Sequence, residues 1–366
     1  MPISSLSQST QSTQSTQSTQ STQSTQSTQS TQSTQSTQGT GDIATPVGLM
    51  TARDGIVGPW IDPVVPQQPA GQGDWALKTH EPGNLSHWPD WSRQMCLLSE
   101  ILSNFSYAQS PEAIAIDLEG ARLCTLVRPT AQDFLAQTAL VHDYSDLRGD
   151  RAQEILDQIG GTTAYFASLL PMNAGRMAKT FELLSLVQTV AACVAQRCKH
   201  ALACRRPDAF SAQIQPMIAM PGHGALPSGH ATEAFALAET LRQLVPTRSK
   251  AQGVDAMLFR QAARIAVNRT VAGLHFPADS FAGAVLGYTI AGAVAAMATP
   301  ETSAPAKNTR FEGPGIGATD FFAAQVFDGA TPVAANDLVN FDNGSVTVTA
   351  MAMMGWLWQE AQAEWR

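Results

Sequence analysis

The chain has 366 residues and a net charge of −8. That acidic balance speaks against a nucleic-acid-binding surface. Five cysteines, an odd number with no CxxC pair, read as reduced and mostly buried thiols rather than a metal site.

Residues 9–38 are ten copies of Ser-Thr-Gln without one apolar side chain. Such a stretch has nothing to bury against the entropy of ordering, so a disordered tail is expected over 1–40. Residues 41–90 are rich in Gly, Pro and Trp and read as an irregular arm. Apolar residues at three-to-four spacing then predict helices over about 91–105, 131–145, 150–159, 172–203, 230–246, 254–272 and 278–298. In the longest, Leu183, Leu184, Leu186, Val187, Val190 and Val194 mark one face.

Residues 280–298 carry no charge and are just long enough to span a bilayer, but Ala and Gly dominate them. They read as the buried central helix of a bundle. No second span is expected, because 181–196 is shorter and contains Glu182. With no basic and apolar leader at the N-terminus, a cytoplasmic location is expected. Residues 299–345, rich in Pro, Gly and Asn, read as a linker. Ser345-Val346-Thr347-Val348 is a strand signal that could equally open a last helix through Trp358. The expectation is an all-α bundle: a helical catalytic domain over 91–300, then a linker and C-terminal helix over 301–366.

Three segments carry the chemistry. Lys199 and Arg206 are seven residues apart, which places them on one helix face two turns apart, with Pro207 ending the helix. Two solvated surface cations would look the same. Pro227-Ser228-Gly229-His230 precedes the apolar run Ala231–Leu244. Ser228 is a plausible N-cap and Gly229 allows close backbone approach, so the helix opening can face an anion. A simple cap is the plainer alternative. His223, seven residues before His230, reads as a loop or rim histidine. In the third segment Arg269 lies on a helix that Gly273 ends, Pro277 opens the next, and Asp279 follows His275 by four residues. A carboxylate on one imidazole nitrogen makes the other a better nucleophile, although a His–Asp pair in a core has the same spacing.

Taken together, Lys199-x6-Arg206-Pro207, Pro227-Ser228-Gly229-His230 and Arg269-x5-His275-x3-Asp279 resemble the three signature motifs of one superfamily. It joins type 2 phosphatidic acid phosphatases, bacterial non-specific acid phosphatases and vanadium haloperoxidases. The third motif here begins Asn268-Arg269 where the family has Ser-Arg. The resemblance implies a helical fold of the acid phosphatase/vanadium haloperoxidase type. It implies metal-independent hydrolysis of a small-molecule or lipid phosphate ester through a phosphohistidine on His275. Asp279 would orient that ring and His230 would serve as acid and base. Lys199, Arg206, Ser228, Gly229 and Arg269 would bind the oxyanion. No cofactor is implied for a phosphatase. If the chain is instead a haloperoxidase, vanadate on His275 is the cofactor. A third reading is a non-catalytic helical protein with an anion pocket.

Overall fold

The computed structural model describes residues 55–62 and 78–366. The tail expected over 1–40 lies outside them, as does much of the arm expected over 41–90. The chain divides into one unit ending at Pro89 and another spanning Asp90–Arg366. In the first, Pro82–His87 forms a single 3-10 turn that starts on its proline.

The second unit contains helices α1 (Asp90–Ser103), α2 (Ala131–Asp143), α3 (Arg148–Asp157), α4 (Thr163–Ala167), α5 (Ala178–Leu202), α6 (Gly229–Leu244), α7 (Val254–Val271), α8 (Pro277–Met297) and α9 (Ala352–Ala363). Local chemistry sets their ends. Thr130 and Asp133 form a capping box that opens α2. Ser228 caps α6, and Pro277 occupies the first turn of α8.

The unit is not an all-α bundle. It also holds strands β1 (Phe105–Gln109), β2 (Ala113–Leu118), β3 (Ala121–Val127), β4 (Ser303–Lys307), β5 (Thr309–Glu312), β6 (Phe327–Asp328), β7 (Thr331–Pro332), β8 (Val339–Asn340) and β9 (Ser345–Thr349). They form a five-stranded sheet, β1-β2-β3-β5-β8, and the two-stranded sheets β4-β9 and β6-β7. β2 and β3 meet through Glu119-Gly120, whose φ values of 51° and 79° make a two-residue hairpin turn. β3 pairs in parallel with β5, from Cys124↔Thr309 to Val127↔Glu312. Residues 299–345 are therefore no plain linker: they supply β5 and β8 to the sheet that begins with β1 at Phe105. β4, β5 and β8 are short and their partners lie well away in sequence, so no local pattern marks them, whereas β1 to β3 are neighbouring strands joined by tight turns. Ser345–Val348 is a strand, and the last helix starts after it.

α8 sits at the centre, buried along almost its whole length. It packs on α6, α5 and α7, and on β4, β5 and β9. Gly283 and Gly287 set the distance to α6. A Cβ on Gly283 would stand 2.7 Å from the Ala231 Cβ, and one on Gly287 would stand 2.9 Å from the Ala236 nitrogen. Without side chains there, the two backbones approach closely. The start of α6 is thereby pressed against the start of α8.

Among the described residues two helices, α5 and α8, are long and apolar enough to cross a bilayer by length and composition, not one as expected. Neighbouring elements cover much of both, which accounts for their apolar character without a bilayer. The expectation of a cytoplasmic chain without a span draws no support from this pair.

Candidate functional site

Lys199 lies in the last turn of α5 and is 2% exposed. Its Nζ donates to the carbonyls of Gly224 (3.1 Å) and Ala225 (2.9 Å). Arg206 does not share its helix face. α5 stops at Leu202, and Ala203 turns left-handed at φ 47°. Arg206 is extended, as the residue before a proline prefers to be, and leads into the short turn Pro207–Ala209. The two cations converge through this reversal, not through helical spacing. Arg206 donates from Nη1 to the Leu274 carbonyl (2.9 Å) and from Nε to the His223 carbonyl (3.1 Å). Its Nη2 lies 3.1 Å from His223 Nδ1. His223 is exposed at the rim but holds Arg206 in place twice over.

The Ser228 side chain accepts from the Ala231 N–H at 3.4 Å, and its own N–H donates to the Asp279 carbonyl at 2.9 Å. That second bond locks the opening of α6 to the first turn of α8. The early N–H groups of α6 have no intrahelical partners and present the positive helix end. A Cβ on Gly229 would stand 3.9 Å from both Lys199 Cε and Glu233 Oε1, so glycine keeps that space open. His230 follows in the first turn. Its Nε2 donates to the Gln158 carbonyl at 3.2 Å, which leaves Nδ1 as the nitrogen able to take or return a proton.

α7 ends at Val271, and just beyond it Gly273 has φ +78°; a Cβ there would stand 2.8 Å from Arg148 Nη2. Only glycine fits this reversal, which carries the chain to His275. The His275 Nδ1–H donates to Asp279 Oδ2 at 2.9 Å, and the Phe276 N–H reaches the same oxygen at 3.0 Å. The other ring nitrogen, His275 Nε2, carries no proton and accepts from Arg206 Nη1 at 3.3 Å. Arg269, fully buried, donates from Nη2 to Gln158 Oε1 at 2.7 Å. Its Nε and Nη1, and Asp279 Oδ1, have no hydrogen-bond partner among the described residues.

Electrostatics bind the group together. Burial, then the charges of Lys199, Arg206, His230 and Arg269, hold the His275 ring well below the usual histidine range. Four basic groups from four parts of the chain thus converge on one imidazole. Burial and then Arg269 push His230 down to about 4. Burial lowers Lys199 and raises Asp279, each opposed by the charge of the other. Arg269 is lowered to about 10 by burial.

Sequence reasoning missed the brace behind Arg269. Gln158, at the C-cap of α3 and fully buried, accepts from Arg269 and from Asn268 Nδ2 (3.2 Å). Asn268 also donates to Glu154 Oε1 at 2.9 Å and accepts from Arg151 Nη1 at 2.8 Å. Its amide is therefore spent on α3. The only sequence signal was an amide in an otherwise amphipathic helix, which carries no address. Gln137 of α2 was missed for the same reason: its Oε1 accepts the Ala278 N–H at 3.0 Å and steadies the start of α8.

A comparison with curated proteins found no match. A comparison with family models did: residues 182–302, from within α5 to just beyond α8, match the PAP2 superfamily. That stretch holds Lys199, Arg206, Ser228, Gly229, His230, Arg269, His275 and Asp279, the residues that the structure has just gathered around one imidazole. This match supports phosphoester-hydrolase-type chemistry in general.

Proposed function

We propose that the protein hydrolyses phosphomonoesters through a phosphohistidine on His275. The observation that carries this reading is Arg269: a fully buried guanidinium with two nitrogens unpartnered among the described residues. Burying a cation without completing its bonds is costly unless an anion completes them. The other donors nearby, Lys199, Arg206 and the opening of α6, suit a tetrahedral oxyanion.

In the proposed reaction the His275 Nε2 attacks phosphorus as the bond to the leaving oxygen breaks. Asp279 holds Nδ1–H and stabilises the charge that forms on the ring. His230 gives a proton to the leaving alcohol and then takes one from the water that attacks the phosphohistidine. Inorganic phosphate leaves and His275 is restored. Lys199, Arg206, Arg269, the Ser228 hydroxyl and the Gly229 N–H stabilise the equatorial oxygens.

The test is release of phosphate from p-nitrophenyl phosphate by the parent and by His275→Ala. The parent is expected to turn over in the presence of EDTA. The variant is expected to lose at least about 10⁴-fold in kcat, the scale seen when a nucleophile is removed. Equal activity in both would end this mechanism. Vanadate is a tetrahedral oxyanion that suits the same donors, with His275 Nε2 as its ligand, and when bound would supply peroxide activation. Bromination with vanadate and peroxide, without phosphate release, would therefore replace the phosphatase reading. Phosphate binding with neither activity would leave an anion-binding protein.

A further inference from the structure

A cavity of about 660 Å³ shares Lys199 and Arg206 with the anion pocket and extends away from it. Its wall includes neither His230, His275 nor Arg269. The charged and titratable groups along it are Lys199, His200, Cys204, Arg205, Arg206, Asp208 and His223. Two arginines and Lys199 thus face a single carboxylate, in a chain of net charge −8 with only five lysines. Lys199 and Arg206 are buried and have work at the reacting phosphate. Arg205 does not: it is exposed, and the structure gives it no hydrogen bond or ion pair among the described residues. A volume of this size accommodates a small molecule. A neutral or apolar leaving group would gain nothing from an unpaired guanidinium beside it, whereas an anion would.

We infer that the substrate is a phosphomonoester bearing a second anionic group, a further phosphate or a carboxylate. The reacting phosphate lies at Lys199, Arg206 and Arg269, and the second anion lies in this cavity against Arg205. The inference rests on the phosphatase reading for what is cleaved, but the second site is a binding site in its own right and can be tested by binding alone.

The probe is a graded series of short α,ω-alkylene bisphosphonates, each compared with the monophosphonate of the same chain length, by titration calorimetry on the full chain. At least one bisphosphonate is expected to bind about tenfold or more tightly than its matched monophosphonate, the value of a hydrogen bond to a charged group. That gain should weaken as salt is raised. Arg205→Ala should abolish most of it and Arg205→Lys should keep part, while monophosphonate affinity moves by less than about threefold. Because Arg205 is exposed, neither variant is expected to disturb folding, and circular dichroism checks this. No gain for any bisphosphonate, or a gain that survives Arg205→Ala, would overturn the inference. Absence of phosphate release from every ester would remove the phosphatase reading and leave the binding result to decide the second site.

Discussion

The helices α5 to α8 and the five-stranded sheet share one apolar core but treat charge in opposite ways. The helical part buries Lys199, Arg206, Arg269, His275 and Asp279, and leaves atoms of two of them without partners. The strands bury Ile114, Ile116, Leu123, Leu126 and Phe311 and, among the described residues, no charged side chain. One region therefore carries a cost of desolvation that an anion would relieve at Arg269, and the other contributes apolar burial that helps to offset it. Substitutions in the first should change activity more than stability, and in the second the reverse.

Arg269→Met makes the sharpest cut. It keeps much of the side-chain volume and removes the cation. By analogy with the loss of an oxyanion donor, kcat/KM should fall by about 2–4 kcal/mol in transition-state stabilisation, roughly 30- to 1000-fold. Thermal unfolding should occur at the same temperature or higher, since a half-satisfied buried charge has gone. Steady-state kinetics beside calorimetry would show it. A large drop in Tm with intact kcat/KM would reverse the roles assigned to the two regions.

The protonation of the helical site yields a second expectation. His275 is held well below its ordinary range, so the proposed nucleophile is unprotonated at neutral pH. His230, lowered to about 4 in the free pocket, is neutral above that pH and cannot arrive already protonated as the acid. The proton it needs must enter with the monoanionic ester, whose second ionisation falls near pH ~6. Below that pH the proton is present; above it the proton is lost. kcat/KM should thus fall about tenfold per unit as pH rises beyond roughly 6. A profile that climbs toward pH ~8 would remove His230 as the acid.

The same contrast explains what was legible beforehand. The site residues lie at helix ends, where capping and turn chemistry leave a local trace: Ser228, Gly273 and Pro277 all announce their roles. Helix positions were readable because α5, α6, α7 and α8 repeat their apolar residues over many turns. What could not be read depends on remote partners. Gln158 meets Arg269 across 111 positions. β3 meets β5 nearly two hundred residues on. The placement of Arg206 was misjudged because seven-residue spacing suggests a continuing helix, whereas Ala203 ends it in a left-handed turn that alanine does not advertise.

On the sheet side, Phe311→Ala should remove a fully buried ring from β5 at a cost of about 3–5 kcal/mol in stability. Activity per folded molecule should stay within about twofold, since distant and independent sites add rather than couple. Denaturant unfolding together with an assay well below the transition would separate these effects. An equal loss in kcat/KM would mean that the sheet positions α8 and, through it, His275.

The smallest effect is expected where the two regions touch. Thr289 on α8 donates to the Val285 carbonyl at 2.7 Å, so the Thr309 hydroxyl on β5 must be the donor across the 2.6 Å contact between the two side chains. Both hydroxyls are buried. Thr309→Val deletes one neutral hydrogen bond and leaves Thr289 still satisfied by its own helix. The cost should be about 1 kcal/mol, near the mean for a neutral bond, and kcat/KM should not change. Thr289→Val instead leaves the buried Thr309 donor only the sulfur of Cys124, a weak acceptor, so it should cost more, about 1–3 kcal/mol. The double variant leaves no stranded hydroxyl and should be less harmful than the two single losses added. Chemical denaturation of all four forms measures this. If the losses simply add, the hydroxyls are not coupled, and the helices and sheet are joined by apolar packing alone.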